Sequence, residues 1–485
     1  MNAQVVKLFG LVTVLFALLI GFTSYWSVFD AQALKDKRVN KRPLLEAQQI
    51  RRGRILADDG TVIAKSRSKG RGESLRYIRT YPQGSLFGHP IGYSFVTQGD
   101  SEFEKYHNGE LIGAESEFKS ILDQLQGGTK QGNDIVTSID PAAQQLAMSE
   151  LSAVGFGAVV AIEPKTGRVR VLASNPPYDP NRVPEHLSQL NTDPTTPLLN
   201  RVTQGQYPPG STFKVVTAAA GLDSGTITPD TPINAPGTLD VQGQPLQNDF
   251  TQDFGPIALD TALTNSVNTW FAQLGEKVGE STLLEYMGRF GFNQTPPIDL
   301  PSDQVYRSGI FDTATGNFLG PNDPIDIARV AIGQERLVAT PLQMALVAAA
   351  VANGGHEMKP QIWDRVVDPD GRVIKRMQPS QWAQPISSQT ASELNTAMQG
   401  VVSGGTGTNA AIPGVAVAGK TGTAETPFNK TCGGGTDENQ AWFIGFAPAN
   451  DPKIAIAASI ECTTAFGNDV AAPIFRDVAE SLLNG

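Results

Sequence analysis

The stretch Tyr207-Pro208-Pro209-Gly210-Ser211-Thr212-Phe213-Lys214, continuing as Val215-Val216-Thr217-Ala218-Ala219-Ala220, decides how this chain is read. Two prolines and a glycine cannot extend a helix backwards, whereas the apolar run after Lys214 carries one forwards, so a helix predicted over 211–222 starts at Ser211. At such a start the free N–H groups and the helix dipole favour developing negative charge. Lys214, three residues on, lies on the same face. A hydroxyl nucleophile therefore has an amine in reach. Ser-x-x-Lys alone is a weak signal, since it recurs at Ser66…Lys69 and Ser116…Lys119. Those two stand in polar surroundings without a helix start and are read as solvated surface.

Two further elements lie downstream. Ser266-Val267-Asn268 sets a hydroxyl and an amide two residues apart, able to face one pocket from an irregular turn, the first relaying a proton and the second donating to a carbonyl. As an isolated tripeptide it reads as a helix cap beside a surface amide. Lys420-Thr421-Gly422-Thr423 ends the apolar run Val415-Ala416-Val417-Ala418, so a cation, two hydroxyls and a glycine edge a strand that can hold a carboxylate against the backbone. The same triplet at Lys165-Thr166-Gly167 falls in a hairpin turn and is read as a turn. Residues 414–421 also satisfy G-x-x-x-x-G-K-[ST], and 454–461 imitate the apolar run and acid of a Walker B strand. A phosphate loop requires a following helix, whereas 422–435 contain Pro427 and a glycine triplet, so nucleotide binding is set aside. There is no G-x-S-x-G elbow and no C-x-x-C.

Around these motifs the chain organises simply. Its 485 residues amount to two to four domains at roughly 100–200 residues each. Residues 8–29 carry no charge and are long enough to cross the hydrocarbon layer, with Tyr25 and Trp26 placed as an interfacial belt. Ala31-Gln32-Ala33 offers the alternative of a cleaved signal peptide, but the apolar stretch exceeds an ordinary signal core. Positive charge concentrates after the span, so the positive-inside rule taken naively points the catalytic body inwards. Residues 35–80 hold 14 Lys/Arg against 5 Asp/Glu, while 81–485 are acidic, and the whole chain is at −10. That balance argues against a nucleic-acid binder held by phosphate contacts. Two cysteines and four scattered histidines exclude a cysteine-rich zinc module. Residues 30–150 read as an extended adhesive module and 151–485 as the catalytic body. In the body, a hairpin spans 157–174, helices are predicted over 257–275 and 340–353, and strands over 415–421, 441–446 and 453–461. Strands at both ends with helices between give an α+β class: an antiparallel sheet closed by distant segments and covered by helices.

In order, Ser211-x-x-Lys214, Ser266-x-Asn268 and Lys420-Thr421-Gly422 resemble the motif set of class A β-lactamases and penicillin-binding proteins. The longer stretches Tyr207–Lys214, Ala331-Ile-Gly-Gln334 with Thr340-Pro-Leu-Gln-Met-Ala345, Gly419-Lys-Thr-Gly-Thr-Ala-Glu425 and Ala441-Trp-Phe-Ile-Gly-Phe-Ala-Pro448 resemble a penicillin-binding transpeptidase. Arg52-Gly53-Arg54-Ile55, Asp59-Gly60 and Ile139-Asp140-Pro141 resemble the stalk of class B members, and the whole is most similar to the actinobacterial penicillin-binding protein A group. Glu335-Arg336 departs from the family, which commonly has a glycine after Gly-Gln.

The resemblance implies a penicillin-binding transpeptidase fold with an extended N-terminal module. It implies a D,D-transpeptidase acting on peptidoglycan stems that end in D-Ala-D-Ala, acylated by β-lactams and needing neither metal nor cofactor. Ser211 is then the nucleophile, Lys214 its base, and Ser266 and Lys420 manage protons and the carboxylate. The N–H groups of Ser211 and Thr423 form the oxyanion hole, while Asn268, Thr421, Gly422 and Thr423 position the peptide. It also implies residues 1–7 in the cytoplasm, a plasma-membrane anchor at 8–29, an external body, a membrane glycan polymerase and division or elongation proteins as partners, and a Cys432–Cys462 disulfide. A β-lactamase or β-lactam sensor on the same motifs, and a non-catalytic wall scaffold, are the competing readings.

Overall fold

The computed structural model describes residues 2–25, 49–71, 74–113, 131–312, 317–319, 323–425 and 439–485. Ser116, Lys119, Cys432 and the Ala31-Gln32-Ala33 triplet lie outside the described residues.

The catalytic body is organised by a five-stranded antiparallel sheet in the order Ala418–Glu425, Asn439–Ala447, Ile454–Thr463, Gly157–Ile162, Val169–Asn175. The first and last parts of the body thus share one sheet, as their β-branched runs predict. The central strands are buried on both sides, which is why they read as continuous apolar runs instead of alternating with polar residues. Their side chains divide by parity. Ala158, Val160 and Ile162 join the core that contains helix Pro341–Ala352. Val159 and Ala161 join the opposite core, formed with helices Pro141–Val154 and Gly467–Asn484. The sheet is covered on both faces.

The helix predicted over 257–275 is two helices, Leu259–Thr264 and Asn268–Val278. They are separated at Asn265-Ser266-Val267, where Ser266 takes a left-handed φ of 55°. Buried apolar residues continue on both sides of this break, so hydrophobic pattern alone does not reveal it.

The N-terminal module is built on a six-stranded sheet ordered Val373–Arg376, Trp363–Val367, Asp134–Thr137, Ile55–Leu56, Val62–Lys69, Arg76–Thr80. Two of its strands come from residues 363–376, so the module is not confined to 30–150. The boundary expected at 150 also falls inside helix Pro141–Val154. Asp140 caps that helix by accepting from Ala143 N at 2.9 Å, with Pro141 at its first position. Gln144 on the same helix exchanges two 2.9 Å hydrogen bonds with the backbone of Leu172, which fastens the helix to the catalytic sheet. Composition changes near residue 80, whereas packing changes before Pro141. Within the module, fully buried Glu104 accepts from Arg52 Nε at 2.7 Å and from Arg79, and Gly53 is required because a Cβ there would lie 1.8 Å from Asn133 O. The module meets the body through buried Asp299, which pairs with His107 at 3.1 Å and accepts from Ile362 N and Trp363 N.

Helix Asn2–Ser24 precedes both parts, beginning ahead of the charge-free stretch; residues 26–29 lie outside the described residues. Its Ala3–Ser24 portion is long and apolar enough to cross a membrane.

Candidate active site

Ser211 sits in the 3-10 turn Gly210–Phe213, which passes directly into helix Lys214–Asp223. The Pro208-Pro209 segment before it is anchored by Trp442 Nε1, which donates to Pro208 O at 3.0 Å. Gly210 has a φ of 51° and receives the 331–334 motif: its N–H donates to Gly333 O at 2.9 Å, and a Cβ on Gly333 would stand 1.9 Å from Gly210 O. On the other side lies strand Ala418–Glu425. A Cβ on Gly422 would meet Pro209 O and the Thr212 methyl at 2.9 Å, so a glycine in Lys-Thr-Gly lets this strand lie against the nucleophile turn. The three motifs, 209 residues apart from first to last, pack against one another.

Lys214 is fully buried. Its Nζ donates to Ser266 O at 2.7 Å and Asn268 Oδ1 at 2.6 Å, and stands 3.2 Å from Ser266 Oγ. The break between the two helices makes this geometry possible: at Ser266 the left-handed backbone presents carbonyl and hydroxyl to the same amine, and Asn268 then starts the next helix. Burial holds the Lys214 ammonium form well below the ordinary lysine range, the Lys420 cation pushes it further down, and Asp249 opposes both. In its neutral form the amine gives its two N–H groups to the two carbonyl-type oxygens and turns its lone pair to a hydroxyl. The hydroxyl of Ser211 itself makes no hydrogen bond to another described residue.

Lys420, also fully buried, donates to Thr421 O at 3.1 Å, and burial lowers its pKa to about 7 against the opposing pull of Asp249. Thr421 Oγ1 is 2.7 Å from Thr406 Oγ1. Thr423 Oγ1 accepts from Gly467 N at 3.3 Å, at the start of the last helix. Asn268 Nδ2 donates to Gln247 O at 2.8 Å, so the amide is held at both ends. Every residue expected to carry chemistry therefore converges: Ser211, Lys214, Ser266, Asn268, Lys420, Thr421, Gly422 and Thr423.

The decoys do not converge. Ser66 lies in strand Val62–Lys69, and its hydroxyl donates to Arg52 O at 2.9 Å. Lys165-Thr166-Gly167 is a hairpin turn in which Lys165 pairs with Asp451 at 2.8 Å. The segment resembling a phosphate loop runs into strand Ala418–Glu425. Glu461, its mock acid, is buried against Arg201 Nε at 2.8 Å and accepts from Tyr207 OH.

Sequence reading missed two contributors: Thr406 and the 247–252 loop. Thr406 is the more informative, because its N–H donates to Thr264 O at 3.1 Å while its hydroxyl meets Thr421, linking the helix before Ser266 to the Lys-Thr-Gly strand. Its setting, Gly404-Gly405-Thr406-Gly407, is a visible punctuation signal. Cys462, one residue before the end of strand Ile454–Thr463, has a φ of 54° and is disulfide-bonded.

Comparison with known proteins agrees with this geometry. The model of the penicillin-binding protein transpeptidase domain matches residues 157–480, and that of the penicillin-binding protein A dimerisation domain matches 52–135. The chain is 32% identical to the peptidoglycan D,D-transpeptidase PbpA of Mycolicibacterium smegmatis over the full length of both. It is 29% identical to the peptidoglycan D,D-transpeptidase MrdA of Escherichia coli over 79% of this chain and 68% of the other. The penicillin G acyl-enzyme complex of penicillin-binding protein A from M. tuberculosis superposes with a TM-score of 0.78 at 32% identity, covering 89% of this chain and 99% of that one. A cleft assembled from Ser-x-x-Lys, Ser-x-Asn and Lys-Thr-Gly, on a fold shared with acyl-enzymes of penicillin, places this chain in the penicillin-binding protein transpeptidase family.

Proposed function

We propose that this protein cross-links peptidoglycan as a serine D,D-transpeptidase, with its body outside the plasma membrane and helix Asn2–Ser24 as a single-pass anchor. In this reading Lys214 takes the proton of Ser211 as Oγ attacks the penultimate D-Ala carbonyl of a stem ending in D-Ala-D-Ala. The N–H groups of Ser211 and Thr423 receive the developing oxyanion, a role supported by the close approach of Gly210 to the 422–424 backbone. Ser266, between Lys214 and the leaving group, passes the proton to the departing D-Ala amine. Lys420 with Thr421 holds the substrate carboxylate, and Asn268 and Thr423 align the peptide. The acceptor stem's amine then takes the acyl group and frees Ser211.

The observation that carries this reading is the fully buried Lys214 amine, held by Ser266 O and Asn268 Oδ1 one helical turn from Ser211. The orientation follows from the reaction, since a wall-building body must lie outside with residues 1–7 inside. Long domains can translocate against the charge bias that residues 35–42 present. A membrane glycan polymerase and division or elongation proteins are the partners that this chemistry calls for, contacted by the N-terminal module.

The test is β-lactam labelling with adduct mapping and timing of adduct loss. The adduct is expected on Ser211, absent in Ser211→Ala, retained in Ser66→Ala and Ser116→Ala, and slow to hydrolyse. Mapping to another serine, or no adduct on folded protein, overturns the assignment. Loss within seconds supports a β-lactamase instead.

A further inference from the structure

The segment 247–252 is fastened to the second motif. Gln247 O accepts from Asn268 Nδ2 at 2.8 Å, and Asn248 Oδ1 accepts from Thr269 N at 2.9 Å. The Asn248 amide also donates to Pro236 O and Gln252 O, at 3.0 and 2.9 Å. Between these attachments two successive non-glycine residues, Phe250 and Thr251, take left-handed φ values of 56° and 53°. Such backbone is disfavoured for both residue types, for a β-branched threonine most of all. What the strained tip presents is unusual. Phe250 is 96% exposed and stacks on no described ring, and Asp249 is exposed with a carboxylate that bonds to no described residue. Yet the Asp249 charge acts on both buried lysines of the cleft.

The transfer half-reaction creates a need for such a group. An acceptor amine arrives largely as ammonium near neutral pH, and a cleft containing Lys420 repels it. Resting on the transpeptidase reading above, we infer that the 247–252 loop is the acceptor-binding wall: the Asp249 carboxylate receives the acceptor's ammonium and the Phe250 ring lies along its carbon chain. Once docked, the ammonium gives a proton to neutral Lys214, and the free amine bonds to the ester carbon of acyl-Ser211. The ester C–O bond breaks, Ser211 Oγ recovers the proton held by Lys214, and Lys214 then takes the second proton that the attacking nitrogen sheds as it becomes an amide and releases it to solvent.

The experiment uses the full chain in detergent micelles with an N-acyl-D-alanyl thioester donor. The common acyl-enzyme is partitioned among water, methanol as a neutral acceptor, and lysinamide as a cationic long-chain acceptor. A partition ratio does not depend on how fast the acyl-enzyme forms. For Asp249→Asn the lysinamide-to-water ratio should fall about tenfold at low salt and less at 0.5 M salt, with the methanol-to-water ratio changed less than about twofold. Asp249→Glu should restore most of the ratio. Phe250→Ala should lower it about threefold for lysinamide and leave glycinamide unaffected. Adduct formation with a fluorescent penicillin confirms an intact site in each variant. An unchanged lysinamide ratio in Asp249→Asn, or an equal fall with methanol, overturns the inference. Failure of the parent to form an acyl-enzyme from the thioester overturns the transpeptidase reading instead.

Discussion

Replacing Lys214 by arginine isolates the one property the mechanism demands of that residue, its ability to be neutral. A lysine with the ordinary pKa near 10.4 is neutral in about one molecule per thousand at pH 7.4, a deficit of roughly 4 kcal/mol against a competent base. The fold offsets this deficit by burying the side chain completely and bringing the Lys420 cation into the same cleft. Both disfavour the ammonium form. Arginine keeps the charge but does not deprotonate in proteins, so a general-base contribution of about 10²–10⁴-fold disappears. The assay is the acylation rate constant with a fluorescent penicillin from pH 5 to 10, with a thermal melt for each variant to establish folding, and Lys214→Met as an uncharged control if the arginine variant melts early. The parent rate should rise with pH along a limb set by Lys214 well below 10. Folded Lys214→Arg should approach Ser211→Ala. A folded arginine variant acylating within about tenfold of the parent, or a parent limb near pH 10, refutes the lysine-base argument.

Four further outcomes are expected. Lys420→Met should stabilise the fold, because a buried lysine whose folded pKa is about 7 destabilises it wherever the unfolded chain binds the extra proton. The stability difference should be on the order of 4 kcal/mol below pH 7 and vanish towards pH 10 in urea titrations, while acylation falls. Thr406→Val should slow acylation by penicillin about tenfold, leave the penicillin methyl ester little changed, and be rescued by Thr406→Ser, since the hydroxyl orients Thr421 towards a carboxylate. Glu335→Gly should raise stability by about 0.5–1 kcal/mol in a melt: Glu335 holds a φ of 66° that glycine adopts freely, and its 3.1 Å pair with Arg336 is half-exposed and weak. Cys462 is disulfide-bonded, and we propose Cys432 as its partner: intact-mass analysis after alkylation should find no free thiol without reductant, and closing a loop of about 30 residues contributes on the order of 3 kcal/mol. Two alkylated cysteines would contradict that pairing.

The linear chain determined the reactive groups and their immediate backbone. Pro208-Pro209-Gly210 compels a helix start beside Ser211, three residues set Lys214 on its face, and the β-branched runs at both ends of the body dictate an antiparallel sheet. These are local consequences of φ restriction, helical pitch and strand pattern, so they are legible without neighbours. What the tertiary structure decided depends on residues distant in the chain. The helix break at Ser266 is invisible to periodicity, because buried apolar residues continue on both sides of it; only the Lys214 amine shows why the backbone turns left-handed there. The glycines at 210, 333 and 422 are visible in the motifs, but what makes them obligatory is the backbone-to-backbone packing of three distant segments. The N-terminal sheet borrows residues 363–376, and helix Pro141–Val154 belongs with the catalytic sheet, because apolar faces are matched in space without regard to changes in composition. The depressed pKa of Lys214 is of the same kind: its residue type is local, but the bias against its ammonium form comes from desolvation and a second cation 206 positions away, which only the folded chain supplies.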